Sequence, residues 1–384
     1  MRVLIALLLL AVCAATHASV EDALIKVGIY EEGLQFQEIL DVLEPFKDSG
    51  NADVEFYLAF AHFNLSISGS DSESIEQIDM SQAILWARKA VGDGSTEALN
   101  LLSIIYGNGF GVPRDNAKSL EYLERGVAAG GRGAILNMAI ALYDDGDTEE
   151  EKSRACGYFD DVANRDDSDV ITGYYLGVIM FRGDCNQVEN KEAGLELIQL
   201  AAESGVTKAE RDMGRIYEYG LTVEADIVEA LKWYELAAEH GEARSQWRVG
   251  MAYLHGEARE SNSERAIEYF RKSANNGYVA AIVSMGVMYA SGDGVEQDFV
   301  RAREFYRQAA DHESPTAMKN LAVMYANGEG VDVDLIQALV LTKQAQALGA
   351  PEAESLREWL LPRLTASDRE IAKRRFSEWS KQRN

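Results

Sequence analysis

The stretches YGNGFGVPRD (106–115), YASGDGVEQD (289–298) and YANGEGVDVD (325–334) share the pattern Tyr-x-x-Gly-x-Gly-Val-x-x-Asp. A Gly three residues after an apolar-periodic Tyr suits a left-handed helix stop, and an Asp at the far end suits an N-cap that accepts an unpaired first-turn amide of the next helix. Each stretch therefore reads as a link between two helices. Working outward, a helix-closing residue recurs at Gly50, Gly94, Gly130, Asp166, Gly205, Gly241, Gly277, Glu313 and Gly349, and six of the eight intervals are 36 residues. A fixed period of this size marks a solenoid, in which each unit buries its apolar face only by stacking on its neighbours.

Aligned on these positions, the units show columns with physical meaning. Each first helix carries a large apolar residue (Leu58, Leu102, Met138, Leu176, Met213, Val249, Met285, Leu321), and the next residue is always small (Ala59, Ser103, Ala139, Gly177, Gly214, Gly250, Gly286, Ala322). Gly within a helix costs up to about 1 kcal/mol relative to Ala, so close approach of another helix must offset it. Three residues later stand Tyr106, Tyr217, Tyr253, Tyr289 and Tyr325, with His62 in the same column read as a core histidine. Second helices run from a small residue (Ala83, Ser119, Ala155, Gly194, Ala230, Ala266, Ala302, Ala338) to a bulky one three positions on (Trp86, Tyr122, Tyr158, Leu197, Trp233, Tyr269, Phe305, Leu341). Ahead of them lie Asp79, Asp115, Glu151, Asn190, Asp226, Asn262, Asp298 and Asp334, so part of the acidic charge is expected to be cap chemistry.

These columns resemble the Sel1-like repeat family, a branch of the tetratricopeptide-like solenoids, over about residues 34–350. Unit five matches best, through Ala209, Met213, Gly214, Tyr217, Gly220, Asp226, Ala230, Trp233, Tyr234, Ala237, Ala238 and Gly241. Unit three departs most, since YDDGDTEEEKS (143–153) lacks the Gly-x-Gly-Val loop, and unit one has a Ser-rich insertion around Ser66–Ser74. The expected fold is an all-α, right-handed α/α solenoid of about eight helix-pair repeats. It would occupy 51–350, after capping helices at 19–50 and before others at 351–384. Pro315 and Pro351 fall at expected helix starts, Pro45 predicts a kink, and Ser367-Asp368-Arg369-Glu370 predicts a capping box opening the last helix. Within 362–384 seven Lys or Arg face three acids, which suits a polar end cap or a partner-binding tail.

Residues 1–18 read as a secretory signal peptide: Arg2, then an apolar run from Val3 to Val12, then small residues before Ser19. Val12 stands where a lipoprotein box needs a small residue, so lipid anchoring through Cys13 is not expected. No stretch is long enough to be a transmembrane segment, and a periplasmic or secreted location follows. With 37 Lys plus Arg against 63 Asp plus Glu, the net charge of −26 disfavours nucleic acid and anionic membrane surfaces as partners. In an exported protein, Cys156 and Cys185 are expected to form a disulfide between adjacent layers.

No metal-ligand spacing, P-loop or nucleophile elbow occurs, so no metal, cofactor or catalytic residue is expected and the chain reads as a non-enzyme. Function should lie where the structural columns leave the surface free. The first-helix stripe away from those columns offers Tyr143, Tyr174, Phe181, Arg211, Arg215, Trp247 and Met251, and aromatics with Arg are the usual interface anchors. The competing reading is that these side chains pack against the adjoining helix. The resemblance implies an exported scaffold holding a protein or peptide on its concave face, as in a cell-envelope assembly. The alternative is an envelope enzyme or ligand-binding protein for a peptidoglycan- or antibiotic-like molecule.

Overall fold

The closing glycines do in space what their spacing requires. Gly50, Gly94, Gly130, Gly205, Gly241, Gly277 and Gly349 all have positive φ, and Glu313, the non-glycine of the series, takes φ 60°. The computed structural model describes residues 20–27 apart from 22 and 25, and then 36–68, 80–165, 170–185 and 189–383. The signal-peptide reading with Cys13, the closing position Asp166, the cap Asp79 and most of the Ser-rich insertion lie outside them. Among the described residues there are 19 α-helices and no strand.

The chain divides into two compact units, Met1–Thr172 and Gly173–Asn384. In the first unit α1 (Phe36–Leu43) is followed by three helix pairs: α2 (Ala52–Ser68) with α3 (Ser81–Gly92), α4 (Thr96–Asn108) with α5 (Asn116–Ala128), and α6 (Arg132–Asp144) with α7 (Glu149–Ala163). The unit boundary falls in the first turn of α8 (Val170–Arg182). The second unit contains α8 with α9 (Lys191–Glu203), α10 (Thr207–Tyr219) with α11 (Ile227–Glu239), and α12 (Ala243–His255) with α13 (Ser263–Asn275). It continues with α14 (Val279–Ser291) and α15 (Phe299–Asp311), then α16 (Pro315–Asn327) and α17 (Leu335–Ala347), and ends in α18 (Glu354–Leu360) and α19 (Ala366–Lys381). Eight helix pairs result, as the period predicts.

Helix ends follow the sequence signals closely. Gly109, Gly220, Gly256, Gly292 and Gly328 are left-handed C-caps. Asp115, Asn190, Asp226, Asn262, Asp298 and Asp334 each accept a first-turn amide as N-cap. Three expectations need correction. Glu151 is not a cap but the third residue of α7, bonding back to its true N-cap Thr148. The last helix opens at Thr365, two residues before the expected box, because Asp368 reaches back to the Thr365 amide. Pro351 opens a single 3-10 turn, Pro351–Ala353, rather than an α-helix. At Pro45 the chain leaves α1 and continues as a 3-10 turn from Glu44 to Phe46, since the missing amide cannot prolong the helix.

The small columns mark close helix approach. A Cβ on Gly214 or Gly250 would stand 2.7 Å from the ring of Tyr234 or Phe270, and one on Gly286 2.5 Å from Tyr306. The rings that press on the glycines are therefore one residue beyond the bulky column read from the sequence. Leu123, Phe159, Ile198, Tyr234, Phe270 and Tyr306 are buried, whereas Tyr122, Tyr158, Leu197, Trp233, Tyr269 and Phe305 are half-buried. His62 is half-buried as well, and burial pushes its pKa down, as for a histidine kept neutral in the core.

Candidate functional site

First helices of successive repeats are tied side by side. In the first unit the Asn137 side-chain amide donates to Asn100 Oδ1 at 2.7 Å. In the second unit the Tyr174 hydroxyl donates to Asp212 Oδ2 at 2.7 Å, and the Trp247 indole donates to Ser284 Oγ at 3.0 Å. The sequence separations of 37, 38 and 37 show one column used three times. Tyr174 and Trp247 therefore serve repeat stacking. Tyr174, only 3% exposed, presents no surface of its own.

The rest of the stripe is half-buried: Tyr143 in the first unit, and Phe181, Arg211, Arg215, Trp247 and Met251 in the second. Tyr143 meets Phe159 edge to face at 5.9 Å. Trp247 and Met251 lean on the core around Ile267, Phe270 and Met285. Asp212 is held between two guanidinium groups, with Arg211 Nη2 at 3.1 Å and Arg215 Nη1 at 3.6 Å. Burial works against the Arg211 charge, but Asp212 and Tyr174 more than offset it, so its pKa lies above the usual value. Beside this cluster Phe181, Arg215, Asp212 and Leu221 border a cavity of about 100 Å³. Arg215 Nε is itself buried and has no hydrogen-bond acceptor among the described residues.

A second charged cluster lies at the neighbouring repeat interface. Glu218 accepts from Tyr234 and from Arg248 Nε, both at 2.7 Å, and Arg248 also meets Glu257 at 2.5 Å. Burial first, and then the bonded Glu218 carboxylate, push the Tyr234 hydroxyl pKa up, so it remains a donor. This network staples α10, α11 and α12 together and leaves little free charge for a ligand. Cys156 and Cys185 are both disulfide-bonded.

The Tyr column and the bulky second-helix column read from the sequence also stack on each other, a pairing that the sequence expectations did not include. Tyr106 stacks on Tyr122, Tyr253 on Tyr269 and Tyr289 on Phe305, with ring centroids 5.8, 5.7 and 5.6 Å apart. Over the first ring of each pair lies a cation, Lys118, Arg265 or Arg301, at 5.2, 5.5 and 5.5 Å from the centroid. The signal was present as constant offsets of twelve and sixteen residues from the Tyr column. An opening of about 500 Å³ in the second unit lies between α15 and α17 where these offsets lead to Gln337 and Leu341. Among the described residues no group of three or more His, Cys, Asp or Glu is placed to hold a metal ion, and no helix is long and apolar enough to cross a membrane.

The repeat matches the Sel1 family model at residues 59–95, 96–131, 174–206, 207–242, 243–278, 279–314 and 315–349. The chain belongs to the Sel1 repeat family. The stretch left between matches, 132–173, holds α6 and α7, the pair whose linker lacks the Sel1 glycines. A Sel1 repeat protein from Oxalobacter formigenes is 22% identical, with 84% of this chain and 90% of that one covered at a TM-score of 0.50. A monomeric mutant of IFIT1 with Gppp-AAAA is 13% identical, with 91% and 83% covered at 0.52. The protective antigen c5321 of uropathogenic Escherichia coli is 21% identical over 95% and 92%, at 0.38. No curated protein sequence matches. The first two likenesses concern the solenoid fold alone.

Proposed function

We propose that this Sel1 repeat protein is an exported, non-enzymatic scaffold that holds a protein or peptide partner on the first-helix face of its second unit. Phe181, Arg211, Arg215, Trp247 and Met251 form that contact, with Tyr174 behind them fixing Asp212 and the two arginines. Tyr143 stands in the corresponding column of the first unit. The observation that carries the reading is Arg215, which borders a cavity with Phe181 and keeps 36% of its side chain exposed. A guanidinium beside an aromatic ring is a common binding hot spot. The net charge of −26 favours a protein over a nucleic acid, and the disulfide-bonded state of Cys156 and Cys185 fits an oxidising compartment.

The test is affinity purification of the chain from its own periplasmic extract, beside a variant with Arg215→Glu and Met251→Glu. The expected result is a partner recovered with the parent and lost with the variant, both being folded by circular dichroism at the assay temperature and having an N-terminus at Ser19. Equal recovery by both proteins would rule out this face.

A further inference from the structure

The second unit keeps this aromatic pattern at two of its four Tyr positions: from Tyr217 the offsets reach Glu229 and Trp233, and from Tyr325 they reach no ring at all. At Tyr253 and Tyr289 the residue twelve positions on is an arginine over the ring and the residue sixteen on is a stacked ring. From Tyr325 the same offsets reach Gln337 and Leu341. Tyr325 accordingly has neither a ring partner nor a cation over it among the described residues. Leu341 has no flat face to continue the stack, and the opening of about 500 Å³ lies over these two residues. That volume is in the range of sites that enclose a ligand group.

The other walls are suited to a peptide. Trp379 comes in from α19, while Arg303 and Arg307 stand one turn apart on α15. Neither arginine makes an ion pair or a side-chain hydrogen bond among the described residues, in a chain with a large excess of acids. Glu304 and Asp311 at the same wall disfavour a uniformly acidic segment. Past Glu304, Arg307 and Asp311 the opening runs into a depression of about 420 Å³ beside Phe305 and Gln308, so an occupant can extend as a chain.

We propose that this opening receives an aromatic side chain of a partner polypeptide. The ring stacks on Tyr325 beside Leu341, which stands where Tyr269 and Phe305 lie in earlier repeats, and a carboxylate next to it in the partner pairs with Arg303 and Arg307. Offset-stacked rings and charge-assisted guanidinium–carboxylate bonds supply the recognition. The site is separate from the first-helix stripe and stands or falls independently of it.

The probe is the acetylated, amidated peptide Gly-Asp-(4-fluorophenylalanine)-Gly-Ser, titrated with the full-length protein and followed by its fluorine resonance. A saturable shift with a Kd of about 1 mM or tighter is expected, as befits a short peptide using one ring and one charge. Leu341→Phe, which restores the internal stack, should abolish it, while Arg303→Gln with Arg307→Gln should weaken it about tenfold. Replacing the peptide Asp by Asn should weaken binding to the parent equally and add nothing in the double variant. Absence of saturation overturns the proposal, and so does equal binding of a ring-free Leu analogue in competition. Unchanged affinity in folded Leu341→Phe also overturns it. Should Leu341→Phe fail to fold, the surface arginine variant decides alone, and unchanged affinity there is fatal.

Discussion

Gly250 shows how one atom is constrained by a neighbouring helix. Any Cβ there would meet the Phe270 ring at 2.7 Å and the Ala266 carbonyl oxygen at 3.2 Å, so the ring and the backbone below it must both move. Gly250→Leu should therefore lower stability by about 1–3 kcal/mol, read as a reduced urea midpoint at constant m-value. An unchanged midpoint would contradict the close approach. Tyr306, which presses on Gly286, gives a test of a different kind. Burial first, with Glu329 adding to it and the Asn320 hydrogen bond opposing, pushes its hydroxyl up to about 12 from 10.0. The folded state then holds a proton that the unfolded chain has released, so the stability it contributes is present below pH 10 and is lost as pH rises towards 12. Tyr306→Phe should flatten the fall in stability over that window, measured by urea melts at stepped pH. An equally steep fall would mean that the hydroxyl ionises freely in the fold.

Individual helices are delimited by caps more than by intrinsic propensity. Asp226 accepts the amides of Val228 and Glu229 at 2.9 and 3.1 Å, closing the first turn of α11. Asp226→Ala should cost about 1 kcal/mol and Asp226→Asn much less, because the amide oxygen can accept the same bonds. A loss of equal size with Asn would point to charge rather than capping. Caps were legible in the sequence because they are local: the Asp or Asn lies within three residues of the amides it satisfies. Where a nearer residue competes, as Thr148 does with Glu151, spacing alone chose the wrong member of the pair. The same locality explains why the bulky column was misassigned by one residue. A helix offset of three and an offset of four lie on nearly the same face, and only packing between helices sends Phe270 rather than Tyr269 against the glycine.

At the scale of the whole chain, stability in a solenoid is the sum of repeat terms and nearest-neighbour interfaces. α19 covers the last of these, adding Ala372 to the core formed by Leu339, Val340, Leu360 and Leu364. Half-buried Phe376 and Trp379 extend that contact, and Arg383 reaches Glu313 at 3.0 Å. The two rings together should contribute about 2–3 kcal/mol. Truncation after Thr365 should therefore speed amide exchange in α17 by about 30- to 150-fold and leave α10–α12 unchanged. Exchange that accelerated evenly through the second unit would show long-range cooperativity instead.

The number of repeats, most helix ends and the Sel1 membership came from the sequence by itself, because each rests on a period or on contacts spanning a few residues. Tertiary structure alone decided which side chains are buried and which are exposed. Tyr174 and Tyr325 look alike in sequence, each an aromatic at a regular first-helix position. One is buried by a bond to Asp212, thirty-eight residues on, and the other faces an opening because Leu341 takes the place of a ring. Exposure depends on what a neighbouring repeat places opposite a residue, and that pairing is written in no single stretch of chain.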